Sequence, residues 1–329
     1  MKTKSVQKVA TKRTMYYGKA DVFVYRTYAK PLKGIREIPE SSFRGRSNII
    51  FGMDIQVAIK GNAFLSSFTE GDNTQVVATD SMKNFILRHA GDYTGATMEG
   101  FLEFVSKEFL QKYPHIEAVT MSGQQFPFNE VEIPTESGFA PSELVFRQGL
   151  VEQPSASVQV ERTADDQYEV IEQTSGVKGL RLIKVKGSSF YGYIKDEYTT
   201  LPESFDRPLF IYLDINWHYE DTDDAKGDQP DQYVCAEQVA HIAQTLFHQE
   251  DSPSIQNLIY KIGLRVLKRF PQLAEISFVS NNRTWETIVE EVSYSADGKV
   301  FTDPRPPYGF QGFSVTKEDL ALAEAEEEK

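Results

Sequence analysis

Arg207 presents a planar fork of donors, and Gln256 combines one donor and one acceptor on a single amide. Together they can grip the rim of one flat partner, and Phe190 offers an aromatic face for it to stack on. Phe190 and Arg207 belong to residues 188–207, SSFYGYIKDEYTTLPESFDR, which crowd aromatic, acidic, threonine and arginine side chains around a turn that no core requires. Thr79-Asp80 follows the short apolar strand Val76-Val77-Ala78 and precedes a helical pattern, so Asp80 is expected as a helix N-cap, where free amides favour an anion. Ser254-Ile255-Gln256 opens another helix, and two helix starts can face one pocket. Lys19 follows Tyr16-Tyr17-Gly18 at the entrance of a strand. Singly, each has a bland account: Phe190 as core, Arg207 as a surface ion pair with Asp206, Gln256 as a neutral helix residue, Asp80 as a cap alone, Lys19 as an ordinary surface lysine.

The elements that must position these residues occur twice. Phe51, Met53, Ile55, Val57 and Ile59 alternate with smaller or polar residues, the period of a strand with one buried face, and Leu209, Ile211, Leu213, Ile215 and Trp217 repeat it 158 residues later. The helical stripe Met98, Phe101, Leu102, Val105, Phe109 recurs after 157 residues as Ile255, Leu258, Ile259, Ile262, Val266. Pro114 and Pro271 end these helices alike, and a short apolar strand follows each. Each half thus reads strand, strand, helix, helix, strand, strand. The reading is a duplicated α+β domain with an antiparallel sheet and helices on one face, divided into residues 15–164 and 165–315. Residues 1–14, basic and polar, and 316–329, acidic, read as solvated tails.

Composition narrows the class. A net charge of −13 repels phosphate backbones, so nucleic acid and anionic membranes are poor partners, whereas a small anion can still be drawn to a locally positive pocket. The single cysteine, Cys235, allows neither an intrachain disulfide nor a cysteine-rich zinc site and fits a reducing compartment. No apolar run is long enough to span a bilayer, and no signal peptide opens the chain. His89, His115, His218, His241 and His248 are scattered without metal-ligand spacing and read as structural or surface. The acidic stretch 220–228 lacks calcium-loop spacing and reads as solvated.

Tyr17-Gly18-Lys19, the run from Val76 to Ser81, residues 188–207 and Ser254-Ile255-Gln256, in that order, resemble urate oxidase, the cofactor-free uricase of purine breakdown, and its Bacillus-type members most of all. The resemblance runs from about Met15 to about Val315. It implies tandem tunnelling-fold (T-fold) domains, two chains closing a barrel and two barrels stacking into a homotetramer with active sites at subunit interfaces. The implied reaction oxidises urate by dioxygen to 5-hydroxyisourate and hydrogen peroxide, with no cofactor and dioxygen as co-substrate. By resemblance Lys19 and Thr79 form the proton-abstracting dyad: a lysine acts as base only where burial or a relay partner lowers the cost of deprotonation, and a threonine hydroxyl can pass the proton. Arg207, Gln256 and Ile255 then clamp the purine, Phe190 stacks on it, Leu201 lines the pocket, Thr79 and Asp80 border the substrate, and Asn281 with Thr79 holds dioxygen, peroxide or water above the ring.

One position departs from the pattern. Many uricases place histidine where this chain has Arg283, and an arginine stays protonated, so Arg283 is expected to contribute charge or position to the catalytic group rather than act as base. The chain lacks the C-terminal peroxisomal tripeptide common in eukaryotic uricases, which implies a bacterial cytoplasmic enzyme. Residues 305–310, RPPYGF, read as an ordered loop at a subunit contact or the pocket mouth. Two rival readings are a non-catalytic purine-binding tunnelling-fold protein and a pterin-acting tunnelling-fold enzyme; metal-dependent forms of the latter need histidine or cysteine ligands that this chain does not cluster.

Overall fold

A computed structural model describes residues 13–149, 152–283, 285–302 and 306–327. Eight strands form one antiparallel sheet: β1 (Tyr17–Thr27), β2 (Ile50–Lys60), β3 (Ala118–Phe126), β4 (Gln153–Arg162), β5 (Tyr168–Lys184), β6 (Leu209–Tyr219), β7 (Leu273–Arg283) and β8 (Gly309–Thr316), hydrogen-bonded in that order. Helices α1 (Thr79–Asp92) and α2 (Met98–Lys112) follow β2; α3 (Ala236–Gln249) and α4 (Ile255–Arg269) follow β6. Both helix pairs start and end 157 residues apart, so the repeat is one of structure as well as sequence. The expected alternation holds: Phe51, Met53, Ile55, Val57 and Ile59 of β2, and Leu209 to Tyr219 at every second residue of β6, are buried under the helices.

Each half has its own apolar cluster, one around Met53, Phe101 and Phe109, the other around Trp217, Ile259 and Phe278. The sheet runs unbroken between them through the β4–β5 pair, whose turn lies where the two halves of the sequence meet. Residues 35–46, leading into β2, lie across the helices of the second half, where Gln238 Nε2 donates to the Arg36 carbonyl and Ser41 Oγ bonds His241 Nδ1 at 2.7 Å.

Glu40 fastens this strap. Its buried carboxylate accepts from Arg265 Nη1 at 2.8 Å and from Arg269 Nε and Nη2 at 3.0 and 2.8 Å. Burial by itself would raise its pKa, but the hydrogen bonds from Arg269 and Arg265 outweigh it and bring the value down to about 2. A lowered folded-state pKa contributes stability that is complete above the unfolded value of 4.5 and is lost as pH falls towards 2. The pair is worth at most about 3 kcal/mol at neutral pH. Thermal melts should show Glu40→Gln below wild type near pH 7 and converging with it near pH 2; parallel curves would refute the assignment.

The structure revises the reading of the C-terminal tail. Lys317–Glu327 forms a helix, α5, with Leu320 packed on the second core and Lys268 bridging Glu324 at 3.4 Å. Asp319 accepts from the Thr316 amide at 2.8 Å, an N-terminal cap that the run of acidic residues concealed. The acidic loop is also docked: Asp221 caps a turn over Thr222–Lys226, and Lys226 bridges Glu103 and Asp223. Among the described residues no helix is long and apolar enough to cross a membrane, and no group of three or more His, Cys, Asp or Glu side chains gathers for a metal.

Candidate active site

Lys19 lies on edge strand β1 opposite Val57, just before a bulge that ends at Val22. Gly18 beside it is obligatory, since a Cβ there would come within 1.8 Å of the Val57 carbonyl oxygen. Tyr17 ties this strand to the start of α1: its hydroxyl accepts from the Val77 amide at 2.8 Å and donates to the Val77 carbonyl at 3.3 Å. That clasp holds Thr79, the first residue of α1, near Lys19.

Asp80 is not the N-cap. Ala78 occupies that position without a capping side chain, and Asp80 lies exposed in the first turn, accepting from Lys83 Nζ at 2.7 Å and Asn84 Nδ2 at 2.9 Å. The hydrogen bond from Lys83 chiefly lowers its pKa, and the charge of Lys19 contributes. Because Thr79 already has helical geometry, its hydroxyl is left free of capping.

The remaining residues gather in the second half. Phe190 pairs with Ser204 through two backbone hydrogen bonds of 2.8 and 3.0 Å, and its ring stacks on Tyr193 at 4.9 Å. The Arg207 guanidinium lies 5.4 Å from the Phe190 centroid. It makes no ion pair with Asp206, whose carboxylate accepts from the Gly187 amide at 2.6 Å. Nε of Arg207 is buried with no partner, and burial depresses the guanidinium pKa. A partly desolvated cation with an unfilled donor is one to which a bound acceptor could be joined. Ser254 caps α4 by accepting from the Asn257 amide, which leaves Ile255 buried and Gln256 exposed at the helix start. Leu201 is exposed, on the loop carrying Phe190 and Arg207.

Strand register sets Asn281 and Arg283 on the sheet face away from the helices. Asn281 pairs with Tyr212, and the Arg283 guanidinium lies 4.5 Å from the Tyr212 ring centroid and 4.6 Å from that of Tyr308, on the sheet face away from the helices. Asn282 lies on the helix face, paired with buried Ile211. It accepts from Gln311 Nε2 at 3.0 Å, and Gln311 accepts from buried Ser280 Oγ at 2.8 Å. This chain of bonds holds the Asn282 amide oxygen on Gln311. α4 is 15 residues long, about 22 Å, and β7 returns antiparallel beneath it, so the level of Ser280 to Asn282 is that of the helix start bearing Gln256. Register therefore sets Asn282, rather than Asn281, on the sheet face shared with the helices. The signal was present in the alternation of Ile276, Phe278 and Ser280, which Asn282 continues. Arg305 of the 305–310 loop lies outside the described residues.

The two sets of groups lie in different halves of the chain. Lys19 and Asn282 stand six strand spacings apart in the sheet, roughly 29 Å. The cleft beside Ile255, Ser188 and Leu209 holds about 10 Å³, room for about one water.

The uricase family profile matches residues 15–159 and 173–311. The chain belongs to the uricase family. It is similar to a uricase of Halalkalicoccus jeotgali, with 55% identity over 93% of this chain and 99% of that protein. It is also similar to a uric acid degradation bifunctional protein of Bacillus sp. strain TB-90, with 54% identity over 94% of this chain, but it spans only 61% of that protein's length. Among solved uricases, that of Bacillus fastidious superposes with a TM-score of 0.91 at 58% identity, covering 95% of this chain and 97% of the other. An α+β fold and Bacillus-type kinship follow, and the uricase family match favours urate chemistry over the pterin reading.

Proposed function

We propose that the chain is a urate oxidase: urate, dioxygen and one water give 5-hydroxyisourate and hydrogen peroxide. The observation that carries this beyond family membership is Arg207, a half-buried guanidinium with an unfilled donor, set over the Phe190 ring. Arg207 and Gln256 hold the rim of the purine, Phe190 stacks on its face, and Lys19 with Thr79 removes a proton. Asn282 orients oxygen above the ring. No cofactor is required, because the deprotonated purine is electron-rich enough to reduce oxygen itself.

The separation of the half-sites supports catalysis between chains. Among the described residues both outer strands, β1 and β8, have a free edge, and Phe310 on β8 and Tyr25 on β1 are exposed. The junction between halves supplies a template for their pairing. Across β4 and β5, Ala156 faces Ser175 and Pro154 faces Val177. Through the repeated ladders, Ala156 corresponds to Gln311, Ser175 to Tyr17 and Val177 to Lys19. The same pairing between chains sets Gly309 opposite Lys19 of the partner subunit, which is then two strands from Asn282, about 10 Å. A head-to-tail pair closes the sheet into a barrel with two such sites, and stacked barrels make the tetramer.

Loss of urate absorbance near its ultraviolet maximum, with oxygen uptake, tests the activity. Binding of azaxanthine without urate decay would leave a purine-binding protein that does not turn over, and absence of both would end the proposal. Location in a bacterial cytoplasm fits the lone buried thiol of Cys235.

A further inference from the structure

The repeated ladders and helices give Lys19, Thr79, Asp80, Gln256 and Asn282 counterparts in the other half. Lys19 faces Val57, and Val177 faces Ile215, the equivalent of Val57. Both are followed by a bulge, with positive φ at Asp21 (55°) and at Gly179 (74°). At the helix starts, Thr79 and Asp80 correspond to Ala236 and Glu237, and Gln256 corresponds to Glu99. Asn282, paired with Ile211, corresponds to Gln125, paired with Met53. Arg46 enters just ahead of β2, as Arg207 does ahead of β6.

Most of these counterparts converge within one chain; Glu99 is the exception, its buried carboxylate accepting from Ser175 Oγ at 2.6 Å and from the Tyr233 hydroxyl at 3.1 Å. Arg46, Gln125, Val177, Ala236 and Glu237 line a cavity of about 460 Å³, within the size range of small-molecule pockets. Glu237 already occupies the arginine fork: its carboxylate accepts from Arg46 Nε at 2.8 Å and from Nη2 at 2.7 Å. Nη1 of Arg46 is buried with no partner. Neither Val177 nor Ala236 has a proton to exchange.

We infer that the junction between the halves is a second, non-catalytic copy of the purine site, held shut by Glu237, whose carboxylate fills the Arg46 fork as an anionic purine fills that of Arg207. This rests on the urate reading above. Glu130 and Glu152 also face the cavity, so with Glu237 in place an anion is repelled. Removing the Glu237 carboxylate frees two charge-assisted donors for a small planar anion.

Calorimetric titration with azaxanthine tests this. Wild type should bind one molecule per chain, Glu237→Ala two, and Glu237→Ala with Arg46→Met one again, while urate turnover per chain stays within about twofold in all three. Glu237→Gln, nearly isosteric, should also bind two, and it decides the matter should the alanine variant fail to fold. A stoichiometry of one in a folded, active Glu237 variant overturns the second site. Absence of binding by wild type overturns the purine reading itself, so the two failures are distinguishable.

Discussion

Lys19→Met should lower kcat for urate by about 10²- to 10⁴-fold, the range associated with a positioned general base, with azaxanthine affinity changed by less than about threefold. The reasoning starts from position. Lys19 precedes the bulge in β1, and the Tyr17 hydroxyl locks that strand to the peptide of Val77, two residues before Thr79. The Thr79 hydroxyl is not spent on capping α1. Thr79→Val should therefore produce a loss of the same order, and the Lys19→Met, Thr79→Val double variant should be little worse than either single one, because groups that act as a unit are not additive. Additive losses in stopped-flow turnover would mean that the two residues do not share a proton path. Tyr17→Phe should give a smaller loss, since it loosens the clasp without removing a reacting group.

Arg207→Met should weaken azaxanthine binding by about 10²- to 10³-fold, equivalent to roughly two charge-assisted hydrogen bonds, and Arg207→Lys should not restore it because an ammonium lacks the planar fork. The melting temperature should hold or rise. Nε of Arg207 is buried without a partner and its guanidinium is partly desolvated, so the folded chain bears a cost that only a ligand offsets. A structural arginine would show the reverse, a fall in melting temperature with binding intact. Mixing the inactive Lys19→Met and Arg207→Met proteins after dissociation should regenerate about a quarter of wild-type activity, because half of the random pairs carry one intact site of two. No recovery, with hybrid assemblies demonstrated by mass spectrometry, would place both half-sites of a working centre in one chain. Arg283→His should change turnover little, since Arg283 lies between Tyr212 and Tyr308 on the sheet face opposite Asn282.

Much of the architecture was legible because it depends on short periods. Alternation in Phe51 to Ile59 and the stripe from Met98 to Phe109 report a single buried face each, and their return after about 157 residues disclosed the duplication with no structure in hand. The helix start at Ser254 was legible for the same reason, whereas that of α1 was legible only in part, since Ala78 and not Asp80 precedes it as the cap position. The resemblance, carried by motifs in order, pointed to the uricase family that the profile and relatives bear out. Side-chain facing near the end of β7 was not legible, because one residue of register decides whether Asn281 or Asn282 shares the helix face, and the ladder to β6 and β8 sets that register from outside the strand. The same holds for Arg207, whose neighbour Asp206 turns to the Gly187 amide, and for the acidic C-terminus, whose helix is secured by Leu320 against a distant core.

By itself, then, the order of residues determined the elements, their duplication and the family, since these follow from local periodicity and from chemistry at fixed spacing. Tertiary structure decided which side chains share a face, that Lys19 sits on an edge strand remote in sheet order from the second half, and that Glu237 already occupies the Arg46 fork. Those outcomes depend on long-range strand pairing, which no stretch of sequence encodes alone.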